Sequence, residues 1–189
     1  MIRPVMNILS ETRALETLHD LKTQFTARIR TEYEHRAKDC AACDTRGACC
    51  LDAHFVNVHI TKLEARAIRN LIDELPTGKR DEILERVERT IATYQLSAED
   101  DTFANTYACP LFEKGIGCLV HERGKPLPCI AHACYENKED LPPDELLAEH
   151  EGLVEHLNEL TYRTPSTWLP LPVAVGRTVS PSPQSHATE

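Results

Sequence analysis

Residues 38–52 read KDCAACDTRGACCLD and place Cys40, Cys43, Cys49 and Cys50 within one short stretch, the last two adjacent. Packing a core does not require oxidisable side chains to be crowded together, so the stretch is read as chemistry. Three chemistries suit it: disulfides, a metal or iron–sulfur site, or a redox-active thiol pair. The remaining cysteines lie in a second stretch, residues 109–134, CPLFEKGIGCLVHERGKPLPCIAHAC, as Cys109, Cys118, Cys129 and Cys134. Four thiolates satisfy one tetrahedral zinc ion or one iron–sulfur cluster, so eight fill two sites, or one site with a reserve set. Both stretches contain glycine or proline and little helical pattern, which suits a backbone wrapped around a small inorganic centre.

The rest of the chain narrows the choice. Of its 189 residues, 41% are hydrophobic and 27% charged, enough to bury a core in one domain. The net charge of -9 argues against a nucleic-acid partner, which requires a basic surface. The N-terminal residues MIRPVMNILSETRALETLHD contain no apolar run long enough for a signal-peptide core, and no segment approaches a membrane-spanning length. A cytoplasmic chain is therefore expected, with no membrane association. In a reducing compartment eight cysteines point to metal ligands more than to disulfides. A protein partner is compatible with the sequence but not identified by it.

A mainly α fold with a small irregular, short-strand, cysteine-rich metal-binding module is expected. Leu15, Leu18, Leu21, Phe25, Ile29 and Tyr33 recur at helical spacing and predict an N-terminal helix over 10–38. Residues 54–60, HFVNVHI, alternate and predict a strand. Thr61 stands three residues before Glu64, the pattern of a capping box, and opens a helix to about Leu75 that Pro76 and Gly78 should end. A further helix is expected from Lys79 to Leu96, and a last one over 142–162 behind Pro142 and Pro143, with Leu146, Leu147, Leu153, Val154, Leu157 and Leu160 on its apolar face. The domain is expected to span 1–163, with the cysteine-cluster module over 40–135. Residues 164–189 read as a Pro/Ser-rich tail, partly disordered. The first and last helices are expected to pack together, bridged by the cysteine region.

All eight cysteines are candidate ligands. The spacing matches neither a ferredoxin run nor a zinc ribbon, so zinc and an iron–sulfur cluster remain equal candidates. His121 and His132, interleaved with the second stretch, are further candidates or outer partners of the ligands. His54 and His59 flank the strand, and His19, His35, His150 and His156 fall on helical surfaces. The adjacent pair Cys49 and Cys50 also fits an exchanging thiol sensor. No serine nucleophile motif and no histidine–carboxylate pairing is legible, so a catalytic role would rest on the cluster itself.

CAACDTRGACC, then ITKLEARAI, then CPLF, GCLVHERGKPLPC and CIAHAC together resemble the YkgJ-type cysteine-cluster family, described as zinc- or iron-chelating domains. The resemblance covers about residues 40–135 and gives all eight cysteines counterparts. Ile60, Thr61 and Glu64 are similar to the family's hydrophobic-Thr-x-x-Glu helix start. Cys109-Pro110-Leu111 is similar to its Cys-Pro-hydrophobic step, and Cys118 to Glu122 to its Cys-x-Ile-Tyr-Glu. Departures are a longer gap between Cys43 and Cys49, His121 in place of an aromatic residue, a lengthened Arg-Pro step, and Ile130 where arginine is frequent. The resemblance implies metal binding without a reaction. Iron–sulfur-dependent redox transfer or peptide and protein modification is the alternative. Flagellin lysine methylases join such a cluster to methyl transfer, but no glycine-rich nucleotide loop supports that step here.

Overall fold

The computed structural model describes residues 8–38, 47–51, 56–99 and 104–178, and the chain is mainly helical. Helix α1 spans Glu11–Glu32. Ser10 caps it, its hydroxyl accepting from the Arg13 N–H at 3.3 Å. Its buried stripe is Ala14, Leu18, Lys22, Phe25 and Ile29. The helix expected to run to 38 stops earlier, because beyond Tyr33 the residues Glu34, His35 and Arg36 have no apolar face to bury. They form a 3-10 turn, and Lys38 is extended, its N–H donating to the Cys134 carbonyl at 2.9 Å. The short helix α2, Ala48–Leu51, carries Cys49 and Cys50.

The strand expected over 54–60 is much shorter. Strand β1 is only His59–Ile60, and residues 54 and 55 lie outside the described residues. Helix α3, Lys62–Asp73, opens on the expected capping box. The Glu64 N–H donates to the Thr61 hydroxyl at 3.3 Å, and the Thr61 N–H donates back to the Glu64 carboxylate at 3.2 Å. Helix α4, Thr77–Thr93, starts directly after Pro76. Gly78 therefore sits in its first turn instead of terminating α3, and proline here marks a beginning because its missing N–H is one the first turn does not need. Strands β2, Phe112–Glu113, and β3, Gly117–Cys118, form an antiparallel hairpin. Helix α5, Leu127–Ala131, and helix α6, Asp144–Tyr162, follow. Leu153, expected on the buried face of α6, is half exposed, while Leu146, Val154, Leu157 and Asn158 are buried.

The largest departure from expectation is at the C-terminal end. Residues 164–178 do not form a loose tail. Strand β4, Leu169–Pro170, pairs antiparallel with β1, and helix α7, Leu171–Arg177, is buried along most of its length. Pro170 precedes the helix and Pro172 lies in its first turn, both places where proline costs no hydrogen bond, so LPLPVAV is a core segment despite its composition. The expected disorder at the end of the tail falls on residues outside those described.

Two apolar clusters result. One joins Ile60, Ala65, Ile68 and Ile72 to Ile83 and Val87 of α4 and to Leu171, Val173 and Val175 of α7. The other joins Ala14, Leu18, Phe25 and Ile29 of α1 to Leu127 and Ile130 of α5 and to Leu146, Val154 and Leu157 of α6. The first and last long helices pack together as expected, with the Tyr162 hydroxyl donating to Glu11 at 2.7 Å. Helix α3 stands between the clusters: Leu63 faces the second and Ala65 the first. At this junction Lys22 Nζ lies 2.9 Å from Glu64 Oε1, both side chains buried. The Leu63 N–H donates to the Asn158 side chain at 3.0 Å, tying α6 to the start of α3. Among the described residues no helix is long and apolar enough to cross a membrane.

Lys22→Met leaves the Glu64 carboxylate buried without its counter-charge. It is expected to destabilise the protein by about 3–5 kcal/mol in urea unfolding; a change below about 1 kcal/mol would mean that the pair is solvated.

Candidate metal centre

Two contacts bring the cysteine stretches together. Gly47, at φ +82°, precedes α2, and the Phe112 ring occupies the space that a side chain at position 47 would fill. Both the left-handed backbone and the ring demand glycine here. Three residues on, the Cys50 carbonyl accepts from the Cys109 N–H at 2.7 Å. Cys118 pairs with Phe112 across the β2–β3 hairpin, so Cys109 and Cys118 are carried on one folded unit. Cys129 reaches the same neighbourhood from α5.

Cys49, Cys50, Cys109, Cys118, Cys129 and Cys134 are all free and partly buried. Burial, reinforced by Cys49, Cys109 and Cys118 nearby, pushes the Cys50 thiol up to about 12. Burial likewise pushes Cys109 to about 11, with Cys118 adding to the rise. Cys118 is raised by burial too. Cys129 is raised by burial and then by Cys109, Cys118 and Cys50. Cys109 and Cys118 thus act on Cys50 and Cys129, Cys118 acts on Cys109, and Cys50 acts on Cys129. They come from α2, the hairpin and α5, and mix one member of the first quartet with three of the second. Cys49 hydrogen-bonds its neighbour Cys50. Cys134 stands apart, its carbonyl bound to Lys38. Cys40 and Cys43 lie outside the described residues.

Local groups partly oppose the effect of burial. The backbone N–H groups of Leu111 and Phe112 reach the Cys109 sulfur, and that of Val120 reaches Cys118. Hydrogen bonds of this kind stabilise thiolate over thiol. The Arg86 guanidinium of α4 acts on Cys109 in the same sense, and Lys125 on Cys118 and Cys129. Arg86 is partly buried; its Nη2 pairs with the Glu113 carboxylate only at 3.9 Å, and its Nε and Nη2 have no hydrogen-bond acceptor.

Among the described residues, no three histidine, cysteine or acidic side chains stand close enough together to hold a metal ion. Protonated thiols have no mutual attraction, and thiolates repel one another, so the ion itself must supply the force that draws them to ligand distance. The donor set fits a thiolate-bound centre in the type of its groups, and the spacing of the sulfurs is wider than ligand distance. His132 is partly buried, and its imidazole is held below its usual range by burial and then by Lys125, which favours the neutral ring. His121 is exposed beside Glu122 at 3.9 Å. His59 is buried on β1, paired through its backbone with β4.

Arg86, Lys125 and the N–H donors were not legible as site residues in the sequence. Arg86 lies on a helix whose apolar residues carry the visible pattern, and backbone donors have no sequence signature beyond the Cys-Pro-Leu-Phe turn. Compared with family models, curated proteins and solved structures, the chain matches none.

Two outcomes are expected. The folded metal-free state binds protons at Cys50 and Cys109 more tightly than the unfolded chain does, so their stabilising contribution is complete below about pH 9 and disappears as pH rises toward about 11 to 12. Denaturation midpoints of metal-free protein should therefore fall between pH 8 and pH 11, and flat midpoints would show the thiols to be solvated. Gly47→Ala should strain the backbone against the Phe112 ring and destabilise the fold by at least about 1 kcal/mol, measured by urea denaturation.

Proposed function

We propose that this is a metal-binding protein of the YkgJ type that coordinates zinc or an iron–sulfur cluster through its cysteines. Cys50, Cys109, Cys118 and Cys129 form the principal centre. Cys40, Cys43, Cys49 and Cys134 form the remaining set; Cys134 is linked by its backbone to Lys38, two residues before Cys40 in sequence. The observation that supports the reading is the approach of Cys50, Cys109, Cys118 and Cys129, from three separate segments, into one electrostatic neighbourhood beside the poorly satisfied Arg86 guanidinium. A structural core explains neither: buried cysteines pack well singly, and a buried arginine without acceptors only costs stability.

Zinc would supply a fixed tetrahedral cross-link between the hairpin, α2 and α5, whereas a cluster would supply a one-electron carrier. In either case the chain's own part is the same. The N–H groups of Leu111, Phe112 and Val120 would stabilise the Cys109 and Cys118 sulfurs as thiolates once the centre is bound, and Arg86 and Lys125 would offset its negative charge. Binding must release the protons that burial keeps on the thiols, so affinity rises with pH through the neutral range.

The test is elemental analysis with visible absorption on full-length protein prepared anaerobically. Zinc, or iron with inorganic sulfide, is expected at one centre or more per chain; a colourless zinc protein and a brown iron protein separate the two cofactors. Cys109→Ser and Cys129→Ser should each lose a centre that Cys134→Ser retains. Wild-type protein carrying neither element, or Cys129→Ser retaining the full wild-type content, would overturn the proposal.

A further inference from the structure

A cleft of about 270 Å³ opens between α1 and the segment joining Cys118 to α5. Its walls gather Lys22, Arg30, Arg123 and Lys125, together with His19 and His121, against the two carboxylates of Glu34 and Glu122. In a chain of net charge -9 this is a local concentration of cations. Buried Ile29 and Ile130 contribute apolar surface to the same cleft.

The cations are not equally engaged. Lys22 is held by buried Glu64 at 2.9 Å, and Arg123 by Glu74 at 2.5 Å. Arg30 meets Glu34 only at 3.8 Å on an exposed surface, a pair worth little. Lys125 is partly buried, makes no ion pair with a carboxylate among the described residues, and projects its charge onto Cys118, Cys129 and His132. The backbone next to Lys125 packs against α3: the Gly124 N–H donates to the Val120 carbonyl at 2.8 Å, and Gly124 lies against the Leu71 side chain.

We propose that this cleft binds a small oxyanion-bearing ligand, a phosphate or a carboxylate, between Arg30 and Lys125. The volume lies at the lower end for ligand sites and selects a small molecule over a macromolecule. Guanidinium and ammonium donors with flanking imidazoles are the groups that recognise such anions. The segment bearing Lys125 also leads into the helix that carries Cys129, which puts the bound anion beside the sulfur centre. The proposal rests on the cleft and not on the identity of any metal.

The experiment is calorimetric titration of full-length protein at low ionic strength with inorganic phosphate and, separately, with citrate, with metal content measured on the same samples. Saturable binding of at least one anion is expected, weakened about tenfold or more by Arg30→Gln at unchanged metal content, and by Lys125→Gln when affinity is compared on samples of equal metal content. Which anion binds distinguishes a phosphate ligand from a carboxylate ligand. Lys114→Gln, an exposed charge on the β2–β3 turn, is the control for net charge and should leave the affinity unchanged. Absence of saturable binding by both anions at millimolar concentration, or equal weakening by Lys114→Gln, would overturn the proposal. Because metal content is read independently, loss of anion binding with metal retained is distinct from failure of the metal reading.

Discussion

Four partly buried thiols brought into one neighbourhood, where burial makes each harder to ionise, are the constraint that the surrounding elements must meet. Bringing Cys50, Cys109, Cys118 and Cys129 into one neighbourhood gains little by itself: sulfur packs, but thiolates repel. The cost is met by elements that are stable for other reasons. Phe112 sits over Gly47, Cys109 donates to the Cys50 carbonyl, and a hairpin fixes the spacing from Cys109 to Cys118. The sulfurs follow the backbone.

That backbone is held from both sides. Cys109 and Cys118 pack against the cluster built by α3, α4 and α7, whereas Cys129 lies on α5 between Leu127 and Ile130 of the cluster built by α1 and α6. Helix α3 belongs to both clusters, and its first turn carries the polar joint between them: Thr61 and Glu64 cap each other, Lys22 pairs with Glu64, and Asn158 accepts from the Leu63 N–H. A charged pair buried at that position is costly to break and insensitive to salt, which suits a junction that must keep two cores in register. Tyr107 adds a second joint, donating from its hydroxyl to the Val58 carbonyl and accepting from the Leu171 N–H at 3.2 Å. Through it the C-terminal segment is fastened close to Cys109 and Cys129.

Much of the helical frame was legible. The stripe of α1, the Thr61–Glu64 cap, the apolar spacing of α4 and the leucines of α6 are local patterns, and local patterns survive folding when one face is buried. The errors share a cause. The end of α1, the brevity of β1 and the burial of residues 169–177 were decided by partners distant in the chain: Cys134 for Lys38, Leu169 and Pro170 for β1, Ile68 and Val87 for α7. Composition alone does not say that two prolines stand where a helix start tolerates them.

For the site, the sequence by itself determined the donor chemistry: eight cysteines in two stretches, with glycine and proline to bend the backbone around them. Only the tertiary structure decided how they group. Cys50 comes near Cys109 and Cys118 of the second stretch, because the direction of a side chain is set by the element it sits on and by what that element packs against. Arg86 and Lys125 enter the same neighbourhood for that reason alone. Charge acts through space, and distance in space is the one quantity that spacing along a chain does not fix.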